Sequence, residues 1–289
     1  EGIDRTAINE AIKILATAER PLIIFPEGGV TRTNDRLHAL LDGVAFVARS
    51  AAKKRKSHTE GGKVVVHPVA LKYLFQGDIY ESLDPMLTDI EHRLSWRPQR
   101  DLSLMDRVTK VGLTLLTLKE IEHIGKPQSA EFVDRMSSLI DHLLDPLEQE
   151  WLGSKQDGGI ISRVKAIRMK IMPEMVRGNL SEEEKERRWN QLANLYLSQQ
   201  VASYPPDYLT SQLSVDRVFE TVERYEEDLT DKVRPNPPIK VIIQVAPAIT
   251  VSPKRDRSAE GDALMTEIAT SLQGMLDNLA QLSPTLKTS

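Results

Sequence analysis

"PLIIFPEGGVTRT", residues 21–33, sets the apolar run Leu22-Ile23-Ile24-Phe25 directly against Pro26, an acid and two glycines, with the basic Arg32 close behind. A continuous rather than alternating apolar run is the pattern of a parallel strand covered on both faces. At the carboxyl ends of such strands, α/β proteins bind their ligands in a crevice. Glycines there let a ligand approach the main chain and leave N–H groups for an anion. Arg32 would add a forked cation suited to phosphate. The alternative reading is an ordinary strand-to-turn connection with a solvated Glu27.

Upstream of this stretch, Ile8, Ile12 and Leu15 predict an amphipathic helix over 6–18 with Thr6 as its N-cap, and Pro21 follows its end. Downstream, "DRLHALLDGVAFVARSAAKK" (35–54) places Leu37, Leu40, Leu41, Val44 and Val47 at helical spacing, predicting a helix that packs back on the sheet. A basic loop within "RSAAKKRKSH" (49–58) leads to "KVVVHPVALKY" (63–73), a second apolar strand in which Pro68 marks a bulge or an end. Helix, strand, helix, strand is the order of an α/β fold with parallel pairing.

From 84 to 234 strand-like runs vanish. Helical stretches are predicted at 102–124, 129–151, 160–172, 181–201 and 211–230, with Ser181 and Glu184 as a capping box and breaks at "GKP", "GSKQDGG" and "SYPPDY". No internal repeat is evident. "RPNPP" (234–238) reads as a stiff linker, "IKVIIQVAPAITV" (239–251) returns to β-branched residues, and Leu264, Ile268, Leu272, Met275 and Leu279 predict a last amphipathic helix. The expected organisation is an α/β core in two parts, 1–83 and 235–289, interrupted by a helical insertion at 84–234.

The composition, 40% hydrophobic and 28% charged over 289 residues, supports a sizeable core. A net charge of −4 gives no general attraction to nucleic acid. The absence of Cys excludes disulfides and thiolate zinc sites, and no apolar run approaches the about 18 residues of a membrane span. No metal cluster or Walker-type loop is present. His67, inside an apolar strand, reads as a satisfied core histidine, and "SEEEKERRW" (181–189) as an exposed helical face.

With Phe25, Pro26, Glu27 and Gly28 in order, "IIFPEGGVTR" resembles the phosphate-binding block of the glycerolipid acyltransferases, the 1-acylglycerol-3-phosphate acyltransferase family, usually Phe-Pro-Glu-Gly-Thr-Arg-Ser. "EGIDR" (1–5) is similar to the end of that family's second block, "VVVHPVALKY" (64–73) to its fourth, and "IIQVAPAITV" (242–251) to a late strand. The resemblance covers residues 1 to about 80 and 239 to about 280, outside the helical insertion.

It implies a mixed sheet with flanking helices and an O-acyl transfer from a thioester of coenzyme A or acyl carrier protein, as co-substrate and without a further cofactor. The acceptor would be a hydroxyl of a glycerol phosphate or lysophospholipid, in phospholipid synthesis or remodelling at a membrane surface facing the cytoplasm. Carried over by position, Arg5, Glu27, Gly28 and Gly29 would bind the acceptor's phosphate. Gly29-Val30 stands where the family has Thr-Arg, so Arg32 is the next cation available.

The family's base is a His followed, after four residues, by Asp. None of the six His here has that partner, and His38 with Asp42 falls one residue short, reading as a surface pair on the predicted helix. The chain opens on Glu1 within the second block, so the base is expected upstream and the 289 residues alone are expected to be inactive. Two other readings stay open: a lipid-phosphate-binding module without turnover, and a helical partner-binding protein on an acyltransferase-like base.

Overall fold

A computed structural model describes residues 5–29, 33–58, 62–209, 213–232, 234, 238–255 and 261–287. In chain order the elements are α1 (Arg5–Thr17), α2 (Gly43–His58), β1 (Val65–Val66), β2 (Val69–Phe75), α3 (Ile79–Arg93), α4 (Leu104–Ile124), α5 (Phe132–Leu152), α6 (Ile160–Arg177), α7 (Glu182–Ala202), α8 (Val215–Thr230), β3 (Ile239–Val245), β4 (Ile249–Thr250) and α9 (Ala263–Ala280). Among the described residues the fold is mixed α/β, 60% helical, with two small antiparallel sheets.

The sheet departs from the expected parallel pairing. β2 runs antiparallel to β3, from Val69 opposite Val245 to Phe75 opposite Ile239, and β1 pairs with β4 through Val65–Thr250 and Val66–Ile249. The two pairs form one ribbon broken by a bulge. Pro68 accepts from the Ala246 N–H at 2.9 Å, so Pro247 and Ala248 together face the single residue His67. Pro68 therefore does what its position in the sequence predicts. The His67 ring meets the Ala246 carbonyl at 3.1 Å, but the residue is exposed rather than core.

Residues 22–25 do not form a strand, and Ile23 and Phe25 are 82% and 76% exposed. The reason lies at the outer edge of β2. The Tyr73 N–H donates to Asn34 Oδ1 at 3.1 Å and the Phe75 N–H to Asp216 Oδ1 at 2.8 Å, so side chains hold positions where a third strand would bond.

The helix expected from 35 begins only at Gly43, because Asn34, Asp35 and Arg36 are drawn into polar contacts with α8 and the loop before it. His38 and Asp42 thus precede the helix, and His38 Nε2 lies 2.9 Å from Thr33 Oγ1. The basic segment is the second half of α2 rather than a loop, with Arg49 tied to Asp262 and Arg55 donating to the Ala16 carbonyl. Thr6 falls inside α1, one residue past its start. α3 crosses the expected 83/84 boundary, capped by Asp78 and carrying Pro85.

Three apolar cores follow. α1, α2 and α9 pack with one face of the ribbon, through Ile12, Ala48, Ala51, Ala70, Ile268 and Leu272. α3, α4 and α8 enclose a second core that takes Phe75 from β2 and Leu286 from the C-terminal tail, with Phe75 stacked on Phe219 at 4.5 Å. α5, α6 and α7 share a third around Leu139, Leu144, Ile167, Ile171 and Leu195.

The helical region also carries a repeat that its sequence conceals. At the α3–α4 corner the buried Glu91 accepts the Gln99 N–H at 3.0 Å and a two-pronged bond from Arg107 at 2.9 Å each. Glu120 does the same with Gln128 and Arg135 at the α4–α5 corner, and Glu148 with Gln156 and Arg163 at the α5–α6 corner. The Glu-to-Gln separation is 8 residues each time. Each Gln side chain also donates to a carbonyl two residues back, which closes the turn.

All three glutamates are fully buried. Arg107 and Arg163 keep half-exposed aspartates beside them, whereas among the described residues Glu120 is the one carboxylate on Arg135, so its removal leaves that cation unpaired. We expect Glu120→Ala to lower the unfolding free energy by about 3–5 kcal/mol in urea titrations. The double change Glu120→Leu with Arg135→Met should recover most of that loss. A single change costing under about 1 kcal/mol would refute the corner as a structural anchor.

Candidate functional site

Pro26, Glu27, Gly28 and Gly29 form a turn, half-buried at Pro26 and Glu27 and exposed at the glycines, followed by an irregular stretch before α2. Its base is closed by the Leu41 N–H, which donates to the Pro26 carbonyl at 2.8 Å. Gly28 takes φ 70°, in the left-handed region, and a Cβ there would lie 2.5 Å from Leu41 Cδ1. Gly29 has open space around its α-carbon. The half-buried Glu27 accepts from the His38 N–H at 3.2 Å, so its carboxylate shapes the loop.

The structure therefore brings Glu27, Gly28 and Gly29 into one turn. Arg5 sits exposed at the start of α1, and no hydrogen bond or ion pair among the described residues joins it to that turn. Arg32 lies outside the described residues.

Behind the turn is a polar network that sequence reasoning missed. The Asn34 N–H and side-chain amide both donate to Glu220 on α8 at 3.0 Å, and the Tyr208 hydroxyl adds a third bond at 2.7 Å. Asp35 accepts from Arg217 Nε at 2.9 Å, while Arg217 also donates to the Tyr208 carbonyl and stacks over that ring at 4.7 Å. Lys72, wholly buried in β2, lies 3.3 Å from Asp216 and 3.9 Å from Asp35. Asp216 is further bonded by Ser283 of the C-terminal tail. Outside this group Arg36 makes a two-pronged bond to Asp207, 2.7 Å for each prong.

Two cations and two carboxylates at the centre, Lys72, Arg217, Asp35 and Asp216, balance in charge, as burial requires. Sealed from solvent, they are suited to holding the loop and not to meeting a substrate. The signal present in the sequence was a lone Lys on the inward face of a strand and an Asp-Arg pair opening a helix. Arg217 finds Asp35 182 residues away, beyond any local pattern.

Burial outweighs the three donors at Glu220 and pushes its carboxyl up to about 7. Burial likewise raises the Tyr208 hydroxyl and lowers Arg224 on the next turn of α8.

Beside the turn, one residue past Leu41, Asp42 begins a cleft of about 370 Å³ between α2 and the start of α9, lined also by Phe46, Arg49, Lys53, Pro253, Arg255 and Asp262. Arg49 is fixed there by Asp262, whose carboxyl it holds below its ordinary value, and by the carbonyls of Ser252 and Lys254. Among the described residues no group of His, Cys, Asp and Glu has the geometry to hold a metal, and no helix is long and apolar enough to cross a membrane. No protein-family model, curated protein or solved structure matches the chain.

A carboxyl raised in the folded state favours the protonated form. Its stabilising contribution is complete below the unfolded value near 4.5 and lost as pH rises through about 7. Glu220→Gln should therefore gain stability relative to the parent between pH 5 and 8, by no more than about 3 kcal/mol, when unfolding is followed across that range. A difference independent of pH would exclude Glu220 as the titrating group. Gly28→Ala should cost about 1–2 kcal/mol in the same measurement, from the left-handed backbone and the Leu41 contact.

Proposed function

We propose that the chain carries the acceptor side of a glycerolipid acyltransferase, binding a glycerol phosphate or lysophospholipid whose hydroxyl receives an acyl group from a coenzyme A or acyl carrier protein thioester. The reading rests on the Phe25-Pro26-Glu27-Gly28 block. Its support in the structure is that this block forms a braced turn whose left-handed glycine is exposed, rather than a buried connection. Glu27 orders the loop through the His38 N–H, and the phosphate meets the glycine backbone at Gly28 and Gly29. Arg32 is the cation closest in sequence for charge, and the cleft beyond Leu41 adds Lys53 and Arg255, with Arg49 already paired to Asp262. On this reading the work takes place at a cytoplasm-facing membrane surface, where a lysophospholipid acceptor resides.

General-base chemistry is assigned to none of the six histidines. His38 is engaged with Thr33 and His67 with the Ala246 carbonyl, and neither has an Asp in the family's position. On this reading the 289 residues bind acceptor without turning it over.

A second reading, a helical partner-binding protein, is favoured by the three repeated Glu–Gln–Arg corners, which make α3 to α6 a regular array of the kind used for binding.

The deciding measurement is equilibrium binding of radiolabelled lysophosphatidic acid to the chain, with Gly29→Asp as the variant. Gly29 is exposed with open space, so the change leaves the fold intact while placing an anion where the phosphate would sit. Binding weakened at least tenfold is the expected result, since about 1.4 kcal/mol of repulsion suffices. Failure of the folded chain to bind any phosphate-bearing acceptor would sink the acyltransferase reading and leave the helical array as the functional part. Acyl transfer by a protein extended upstream with a His-x-x-x-x-Asp pattern, lost in Gly29→Asp, would establish the enzyme.

A further inference from the structure

The two edges of the β2–β3 ribbon are treated differently. Gln76 donates to the Pro238 carbonyl and Ala246 to that of Pro68, so in the β2–β3 register the even-numbered residues exchange the ladder bonds. Odd-numbered residues therefore turn their N–H and C=O groups outward. On β2, two of these outward N–H groups are covered, Tyr73 by Asn34 and Phe75 by Asp216. On β3 the outward set is Ile239, Val241, Ile243 and Val245, and no hydrogen bond to their N–H groups is found among the described residues.

This open edge is seven residues long, rich in β-branched side chains, and carries one charge, Lys240. The side chains of Val241, Ile243 and Val245 are 47%, 63% and 59% exposed. Natural sheets shield such an edge with charge, proline, a bulge or a covering element, because bare it templates pairing with another strand. A two-stranded ribbon is also marginal alone and gains from further strands.

We propose that β3 is a self-pairing edge through which two copies of the chain join antiparallel into a continuous four-stranded sheet, β2-β3-β3-β2. The second copy is the occupant that the edge itself specifies. The strand spans 239–245, so its midpoint is Ile242, and a two-fold axis there sets Ile242 against its own counterpart. In that register Ile239 meets Val245 and Val241 meets Ile243, every outward N–H and C=O finds a partner, and the three exposed apolar side chains meet apolar ones. Lys240 faces Gln244 of the other copy, so the one charge on the strand is never opposed by itself. Such an interface is isologous and closes at two copies, leaving the half-covered β2 edges at the ends. The inference does not depend on acyl transfer.

The test is sedimentation velocity over a range of concentrations, with the parent and Ile243→Pro. Residue 243 bonds outward only, so proline there leaves the ladder to β2 intact while removing a donor and obstructing the incoming strand. The parent should shift toward twice the 32.5 kDa chain mass as concentration rises, and Ile243→Pro should stay monomeric with an unchanged circular dichroism spectrum. A parent that is monomeric throughout overturns the proposal, and so does a dimer that persists in a folded Ile243→Pro. Should that variant fail to fold, hydrogen exchange on the parent decides instead. The Val241, Ile243 and Val245 amides should be protected at high concentration and lose that protection on dilution, and free exchange at every concentration overturns the pairing.

Discussion

The structure depends on a buried clamp between a loop and a helix distant in sequence. Asn34 and Asp35 reach Glu220 and Arg217 on α8, while Lys72 of β2 and Ser283 of the tail complete the group through Asp216. A buried charge is tolerable only when paired, so each member constrains the others. The clamp fixes where the loop after the glycine turn can run and where β2 can sit, and it sets α8 against both. It also explains why the helical region is not a detachable insertion. β2 contributes Phe75 and the C-terminal tail contributes Leu286 to a core otherwise made of α3, α4 and α8, and the tail continues the contact through the Val215–Pro284 and Leu286–Leu213 backbone bonds.

Beyond α8 the same solution is used three times on a smaller scale. A glutamate at the end of one helix holds both the following loop and the first turn of the next helix, through a backbone N–H and an arginine fork. Geometry of this kind sets the loop length and the helix crossing together, which is why α3 to α6 follow one another with nearly constant spacing. The charge that each corner buries is matched within the corner. The array can therefore be regular without demanding similar apolar residues, and its helices differ freely everywhere else.

That freedom accounts for what could and could not be read from the sequence. Helices α4 to α9 were legible because their apolar periodicity is strong and breaks fall at Gly125 and Gly153 and a capping box at Ser181, although α6 runs through Pro173 to Arg177, past the expected 172. Pro68 announced the bulge because proline cannot serve an interior ladder position. The repeat was hidden since only three polar positions recur, and the first corner is one residue longer between Glu and Arg, 16 against 15. The run at 22–25 was misread because an apolar tetrapeptide carries no information about whether a neighbouring edge is available. Of the candidate site, the Pro-Glu-Gly-Gly turn was legible from its letters, whereas the clamp behind it joins residues 182 and 186 apart and leaves no local trace. Arg188, within a segment that reads as a solvated face, is instead buried against Glu174 and Trp151, since alternating charge cannot reveal which arginine turns inward.

The clamp has one more consequence, for the sheet. By committing Asn34 and Asp216 to the N–H groups of Tyr73 and Phe75, it occupies the second half of the β2 edge with residues that also bond Glu220 and pair with Lys72. Sheet growth along that half of β2 competes with the buried network, while on β3 no hydrogen bond among the described residues stands in the way. The apolar side chains left open on the ribbon, Val69, Leu71 and Tyr73 facing Val245, Ile243 and Val241, are arranged in cross-strand pairs. An apolar face of that regularity, beside an unbonded edge and opposite a half-covered one, favours the approach of an added strand from the β3 side.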